Sequence, residues 1–165
     1  MSASGNAPFF IDNEVIVLAR NGTWLADGME ITHEPTRRLF ARSLHRDDQG
    51  YLLQVGRETK RIQVEDTAYF VEALEGGPAE GFVLRLSDDA REKLNPQALA
   101  YRPGRLTCRI NRHGKPEDAR FLHAAYFELL KHLEEDPHSY YLTLEGKRVV
   151  LAPKGEPQPA SGGQA

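Results

Sequence analysis

Cysteine is nearly absent: Cys108 is the only one in 165 residues, which excludes an intrachain disulfide framework and any metal centre built from several thiolates. Long apolar runs are also missing, and none approaches the roughly 18 residues that a membrane-spanning helix requires. Residues Met1 to Pro8 lack the charged start and apolar stretch of a secretion signal, so the expected location is the cytoplasm. A strong excess of one charge is absent too: the net charge is −3, which argues against a global basic field for nucleic acid. What remains is an ordinary globular composition, 40% hydrophobic and 27% charged. A chain of this size buries about two-thirds of its unfolded surface, enough to hold a core without staples.

The punctuation between residues 20 and 70 is the strongest local signal. Asn21-Gly22 and Asp27-Gly28 tolerate positive φ at low steric cost and read as hairpin turns. They separate short strands at Val15 to Ala19, Thr23 to Ala26 and Met29 to Ile31. Thr32 is the expected N-cap of a helix, with Pro35 accommodated in the first turn and Leu39, Phe40, Ser43 and Leu44 on its inner stripe. The turn cluster Asp47-Asp48-Gln49-Gly50 then opens two alternating runs, Tyr51 to Val55 and Arg61 to Glu65.

A second cluster of turn formers, Glu75 to Gly81, is read as the boundary between two halves, 14–77 and 78–152. Beyond it Phe82, Leu84 and Leu86 alternate, as do Leu106, Cys108 and Ile110. Leu122, Ala125, Tyr126, Leu129, Leu130 and Leu133 recur at helical spacing and predict a helix over 122–135, stopped by Asp136-Pro137. Tyr140 to Leu144 and Lys147 to Leu151 form a closing hairpin around Glu145-Gly146. Residues 1–13 are expected to be a flexible lead and 153–165 a disordered tail. The fold class is therefore α+β: two small halves of antiparallel strands, each with one main helix, packed together.

Several fragments imitate known catalytic motifs and fail on spacing. His33-Glu34 lacks the second His of a zinc protease helix, since position 37 is Arg. Glu34 with Arg38 instead makes a helical i,i+4 pair. His45-Arg46-Asp47 copies a kinase catalytic-loop tripeptide, but the Asn five residues after the Asp is Leu52. Asn21-Gly22-Thr23 matches a glycosylation sequon and reads as a turn. The six His do not cluster, and no metal or cofactor is expected.

Two basic rows carry the candidate binding chemistry. Arg38, Arg42 and Arg46 are spaced by four along the first helix. Arg105, Thr107, Arg109 and Asn111 alternate outward on a strand whose Leu106, Cys108 and Ile110 point inward, and Arg112 follows directly. Residues 102–120 hold six Lys/Arg (Arg102, Arg105, Arg109, Arg112, Lys115, Arg120) against Glu117 and Asp118. A guanidinium row can hold carboxylate or phosphate through paired N–H donors. The competing reading is a solvated face balanced by acidic neighbours. As an alternative acid/base set, Glu58, Glu65 and Asp66 supply carboxylates, with Arg61 as an electrostatic stabiliser.

The order of elements resembles the bacterial domain-of-unknown-function family numbered twelve eighty-five. The matching residues are Asn21-Gly22-Thr23-Trp24, Gly28 to Thr32, Arg38-Leu39-Phe40, Asp47 to Leu52, and the run Arg61 to Phe70. Ala119-Arg120 leading to Tyr126-Phe127-Glu128-Leu129 is similar to that family's late strand-to-helix passage. The chain departs from the family at Gly56, where proline is expected, and over residues 87 to 104. The resemblance implies two small halves and carries no activity, cofactor or catalytic residue. The functional expectation is a non-catalytic module that binds an acidic small molecule or a protein partner through Arg38, Arg42, Arg105, Arg109 and Arg112. Alternatives are a small hydrolase using Glu58, Glu65 and Asp66, or a structural module that self-associates; membrane and nucleic-acid partners are not expected.

Overall fold

Both Asx-Gly turns close the first sheet as their chemistry requires. In the computed structural model, which describes residues 8–155, β1 (Ile16–Leu18) pairs antiparallel with β2 (Trp24–Ala26), and β2 with β3 (Met29–Glu30). Asp27 and Gly28 both take positive φ, +50° and +83°, the mirror-image turn whose twist suits a two-residue hairpin. At the other turn the Asn21 side chain accepts a hydrogen bond from the Thr23 N–H at 3.0 Å.

The first helix, α1, runs Glu34–Arg42 and starts after His33 rather than Thr32, with Pro35 in its first turn. His33 Nδ1 lies 2.9 Å from the Thr36 hydroxyl, so this start is tied by a His–Thr contact instead of a Thr cap. Phe40 is buried and meets Trp24 edge-on at 5.3 Å between ring centres. Phe10 leans on the same ring from the N-terminal lead, at 6.2 Å. Phe10 of that lead thus packs on the body while its neighbours from 8 to 13 stay exposed, and residues 1–7 lie outside the described residues.

A three-stranded meander follows α1: β4 (Leu44–Asp47), β5 (Gly50–Val55) and β6 (Glu58–Arg61). The run expected as one strand from Arg61 to Glu65 breaks at Ile62. Its first part pairs with β5; its second, β7 (Gln63–Val64), joins the first sheet parallel to β1. Ile62 at this junction is buried, 7% exposed, and its N–H still donates to the Tyr51 carbonyl at 3.2 Å.

The second region is a six-stranded sheet. Its members are β8 (Tyr69–Gly77), β9 (Gly81–Leu86), β10 (Arg91–Lys93), β11 (Leu99–Arg102), β12 (Arg105–Arg112) and β13 (Lys115–Phe121), in the order β10-β9-β8-β13-β12-β11. The Glu75 to Gly81 cluster, read from sequence as the boundary between halves, carries the turn of the β8–β9 hairpin inside this sheet. β8 also pairs parallel with β13, with Tyr69 opposite Ala119 and Val71 opposite Phe121, so residues 69–77 sit at the centre of the second region.

The second helix, α2, spans only His123–Leu130, shorter than the expected 122–135. Leu129 is fully buried, whereas Leu133 is 39% exposed. The last turn tightens to hydrogen bonds from His132 N–H to Leu129 O and from Leu133 N–H to Leu130 O, each 3.1 Å. Glu134 and Glu135 then leave as β14 (Glu134–Glu135), pairing with Tyr141 and Tyr140. The ladder has claimed residues that helical periodicity assigned to α2.

The closing hairpin forms as predicted, with β15 (Ser139–Leu144) and β16 (Lys147–Pro153) joined at Glu145-Gly146. β16 carries the ordered chain through Pro153, which the sequence reading had placed in the tail; residues 156–165 lie outside the described residues. Each helix is thus followed by a three-stranded meander, β4-β5-β6 after α1 and β14-β15-β16 after α2. A single apolar cluster runs from Ile16, Leu18 and Leu53 through Val71, Leu84 and Leu106 to Leu129 and Leu142. The architecture is α+β, and no helix among the described residues is long and apolar enough to cross a membrane.

Candidate functional site

The arginine row on β12 is built by strand alternation and antiparallel register. Leu106, Cys108 and Ile110 point into the core, 1%, 1% and 3% exposed. Arg105, Thr107 and Arg109 take the opposite face. Register sets Arg102 beside Arg105, Ala100 beside Thr107, Arg120 beside Thr107 and Asp118 beside Arg109, all on that face. Thr107, expected to be exposed, is only 4% exposed. It lies among four arginine positions on three strands, and long aliphatic stems of this kind cover a small central residue.

Asp66, in the loop after β7, is the anchor of this face. Its carboxylate accepts from Arg105 Nε and Nη2 at 3.0 and 2.7 Å, and from Arg120 Nη1 at 3.0 Å. The Arg105 fork, supported by Arg120, holds the Asp66 carboxyl below its ordinary pKa against the opposing effect of burial. The same bonds hold Arg105 in its charged form more firmly.

A second network closes the far side. Arg46 Nε donates to Glu117 Oε2, and the Tyr51 hydroxyl donates to Glu117 Oε1, both at 2.6 Å. Glu117 is 7% exposed, and burial, followed by the Glu117 hydrogen bond, pushes the Tyr51 phenol well above its usual value. Tyr51 therefore stays a donor.

Two depressions adjoin on this surface. One, about 380 Å³, is walled by Arg46, Tyr51, Asp66, Thr67 and Glu117; the other, about 420 Å³, by Ala98, Ala100, Tyr101, Arg102 and Thr107. Arg105, Arg109 and Asp118 line both. Together they present four guanidinium groups (Arg46, Arg102, Arg105, Arg109) against three carboxylates (Asp66, Glu117, Asp118). The four are not equally engaged. Arg105 and Arg46 are held as above, and Arg109 meets Asp118 through Nε alone at 2.9 Å. Arg102 has no carboxylate within ion-pair distance among the described residues. The terminal nitrogens of Arg109 and the whole Arg102 guanidinium have no carboxylate hydrogen-bond partner among the described residues.

The other predicted arginines lie elsewhere. Arg38 reaches Glu34, Glu72 and Asp89, and Arg42 reaches Asp89 at 3.3 Å. Arg38 with Arg37, Trp24 and Gly22 borders a separate cleft of about 150 Å³ between α1 and the large sheet. Arg112 is tied to the buried Asp88 and lies 5.9 Å over the Tyr69 ring. Of the five arginines singled out from sequence, only Arg105 and Arg109 line these two depressions.

The alternative acid/base set is dispersed. Glu58 accepts from the Phe9 and Phe10 backbone N–H groups, at 2.7 to 3.1 Å, and so fastens the N-terminal lead. Glu65 accepts from the Arg20 N–H at 3.0 Å. Arg61 forks onto Asp47 at 2.8 and 2.9 Å, and Asp66 is held by Arg105 and Arg120. Among the described residues Asp66 lines the depression of about 380 Å³, whereas Arg61 borders a different one beside β1 and β7. Cys108 is buried in the core, and its burial pushes the thiol up to about 12. Among the described residues no group of three His, Cys, Asp or Glu side chains is placed to hold a metal ion.

Sequence reasoning missed the Arg46–Glu117–Tyr51 network, although a signal existed. Glu117 is in phase with Ala119 and Phe121 on β13, so alternation puts a carboxylate on the buried face, where it needs a partner. That the partner would be Arg46 is a contact across 71 residues, which no local pattern carries.

Residues 6–67 match the family model for the domain of unknown function DUF1285, N-terminal domain. The matched segment ends where the first region gives way to β8. The fold is similar to the crystal structure of a DUF1285 family protein from Silicibacter pomeroyi DSS-3, with a TM-score of 0.57 at 17% identity over 92% of this chain and 87% of that one. It is also similar to a DUF1285 family protein from Shewanella baltica OS155, with a TM-score of 0.56 at 18% identity over 73% of this chain and 94% of that one. No curated protein matches the chain.

Proposed function

We propose that this chain, whose residues 6–67 match the DUF1285 N-terminal domain, is a non-catalytic binding module for an acidic small molecule. The ligand's carboxylate or phosphate is received on the arginine face of β11, β12 and β13. The observation that carries this reading is the pair of under-used guanidinium groups, Arg102 and Arg109, beside a floor of Ala100 and Thr107. Arg105, held by Asp66, keeps the neighbouring charge in position and is a support, not the primary contact. Planar N–H forks match carboxylate and phosphate oxygens, and the open surface makes binding sensitive to salt. The dispersal of Glu58, Glu65, Asp66 and Arg61 gives the hydrolase alternative no support.

The test is a calorimetric and thermal-shift screen against phosphorylated and carboxylate metabolites, with Arg102→Ala combined with Arg109→Ala. Arg105 is left in place because its loss would unpair Asp66 and confuse stability with binding. The expected result is a rise in melting temperature for at least one anion, abolished in the double variant and reduced at high salt. If no compound shifts the wild type, or if the double variant keeps the shift, the reading fails.

A further inference from the structure

Resting on the anion reading above, we propose that the ligand is amphiphilic: a soluble medium-chain carboxylate whose head group sits on Arg102 and Arg109 and whose chain lies in an apolar groove around the edge of β11. The groove, about 310 Å³, is walled by Tyr101, Leu130, Leu133, Tyr140, Leu151 and Ala152. It lies between α2, the β15–β16 hairpin and β11. Leu133 and Tyr140 remain 39% and 38% exposed there, apolar surface left partly open among the described residues, with Lys154 Nζ 5.5 Å from the Tyr140 ring centre. Its volume falls at the lower end of ligand cavities, about 300–1,000 Å³.

What joins this groove to the arginine face is Tyr101. It borders the apolar groove and also the 420 Å³ depression that contains Arg102, Arg105 and Arg109. β11 is the last hydrogen-bonded strand of its sheet and packs against β16, which supplies Leu151 and Ala152 to the groove, so the wall that the groove and this depression share is the Tyr101 side chain itself. Alternation sends Tyr101 and Arg102 to opposite faces, while their Cα atoms are only about 3.8 Å apart. A ligand crossing that edge therefore changes from a cationic to an apolar environment within one residue. The occupant that satisfies both sides is a single molecule with an anionic end and a hydrocarbon chain. A short polar metabolite would leave the groove wet, and an uncharged chain would leave the guanidinium groups unused.

The experiment measures binding of acetate, hexanoate, octanoate and decanoate by calorimetry, below micelle-forming concentrations, with decanol as the uncharged control. Affinity should tighten by about tenfold for every two methylenes added until the groove is filled, somewhat less than full burial would give. Decanoate should bind at least tenfold more tightly than decanol. Leu133→Asp, at a half-exposed position, should remove the chain-length dependence while leaving the response to short anions intact. Ala152→Trp, which fills the groove from its wall, should do the same by a different route. If short anions bind but affinity ignores chain length, or if both groove variants leave decanoate binding unchanged, the amphiphile inference is overturned while the anion reading stands. Equal binding of decanol and decanoate, unaffected by Arg102→Ala with Arg109→Ala, overturns it as well. Capture by anionic lipid vesicles without binding of free decanoate also overturns it, in favour of a membrane surface. Absence of any anion response removes both readings together.

Discussion

Replacing Asp66 with Asn should lower stability and raise anion affinity at once. In the wild type the Asp66 carboxylate accepts three hydrogen bonds from two guanidinium groups, and the three side chains are 22% to 28% exposed. Hydrogen bonds to charged partners contribute about 1.5–3 kcal/mol each in isolation, but they share one acceptor group and Asn keeps part of the geometry, so a loss of about 2 kcal/mol is expected. For a chain of this length that corresponds to roughly 4–8 °C in melting temperature. Losing the carboxylate also leaves Arg105 and Arg120 as neighbouring like charges and frees the Arg105 fork for solvent or ligand. The same variant should therefore bind a cognate anion more tightly, by several-fold at low salt, with the gain shrinking as salt rises.

The pH dependence follows from the direction of the Asp66 shift. Its folded-state pKa is lowered, so its stabilising contribution is fully present above the unfolded value, about 3.9, and is lost as pH falls through the folded value. Wild type and Asp66→Asn should thus differ most near neutrality and converge in acid. Differential scanning calorimetry across that range, paired with anion titrations, reads both effects. A melting temperature within about 1 °C of wild type would show that the fork contributes nothing to stability. Unchanged or weaker anion binding would show that Arg105 does not face the ligand.

Two further perturbations probe the scaffold. His45 on β4 stacks on His113 at the β12–β13 turn, with 4.6 Å between ring centres, and burial, then the charge of His113, lowers the His45 pKa. A depressed histidine contributes stability above its unfolded value of about 6.5 and loses it as pH falls through the folded value. The melting temperature should therefore drop on acidification below neutrality, and less steeply in His113→Phe, in which NMR should find the His45 pKa raised; a wild-type His45 titrating at or above about 6.5 contradicts this. Gly76→Ala should be far more damaging than Gly146→Ala, although both glycines have positive φ, +85° and +78°. A Cβ at 76 would meet the Gly81 carbonyl oxygen at 2.4 Å, whereas one at 146 meets nothing within 4 Å and costs only the left-handed backbone penalty, about 1–2 kcal/mol. Equal losses in thermal denaturation would refute the clash.

Legibility in the sequence followed the range of the forces involved. Asn21-Gly22, Asp27-Gly28 and Glu145-Gly146 were readable because turn chemistry is local. The inward set Leu106, Cys108 and Ile110 was readable because strand alternation is local too. The length of α2 was misread because helical periodicity continued through Leu133, while Glu134 and Glu135 found a better ladder against Tyr141 and Tyr140. The Glu75 to Gly81 cluster was correctly a turn, yet nothing nearby distinguishes a hairpin within one sheet from a boundary between two. At the candidate site the Arg105 and Arg109 row was visible and its partners were not: Asp66 lies 39 residues from Arg105.

By itself, then, the amino-acid order determined turn positions, strand faces and an α+β composition, because steric preferences and side-chain periodicity act over a few residues. Tertiary structure decided which strands share a sheet, where α2 gives way to β14, and which arginines are neutralised. Those outcomes depend on contacts between segments distant along the chain, and whether a guanidinium is spent on a carboxylate or left for a ligand is set by where the fold carries that carboxylate.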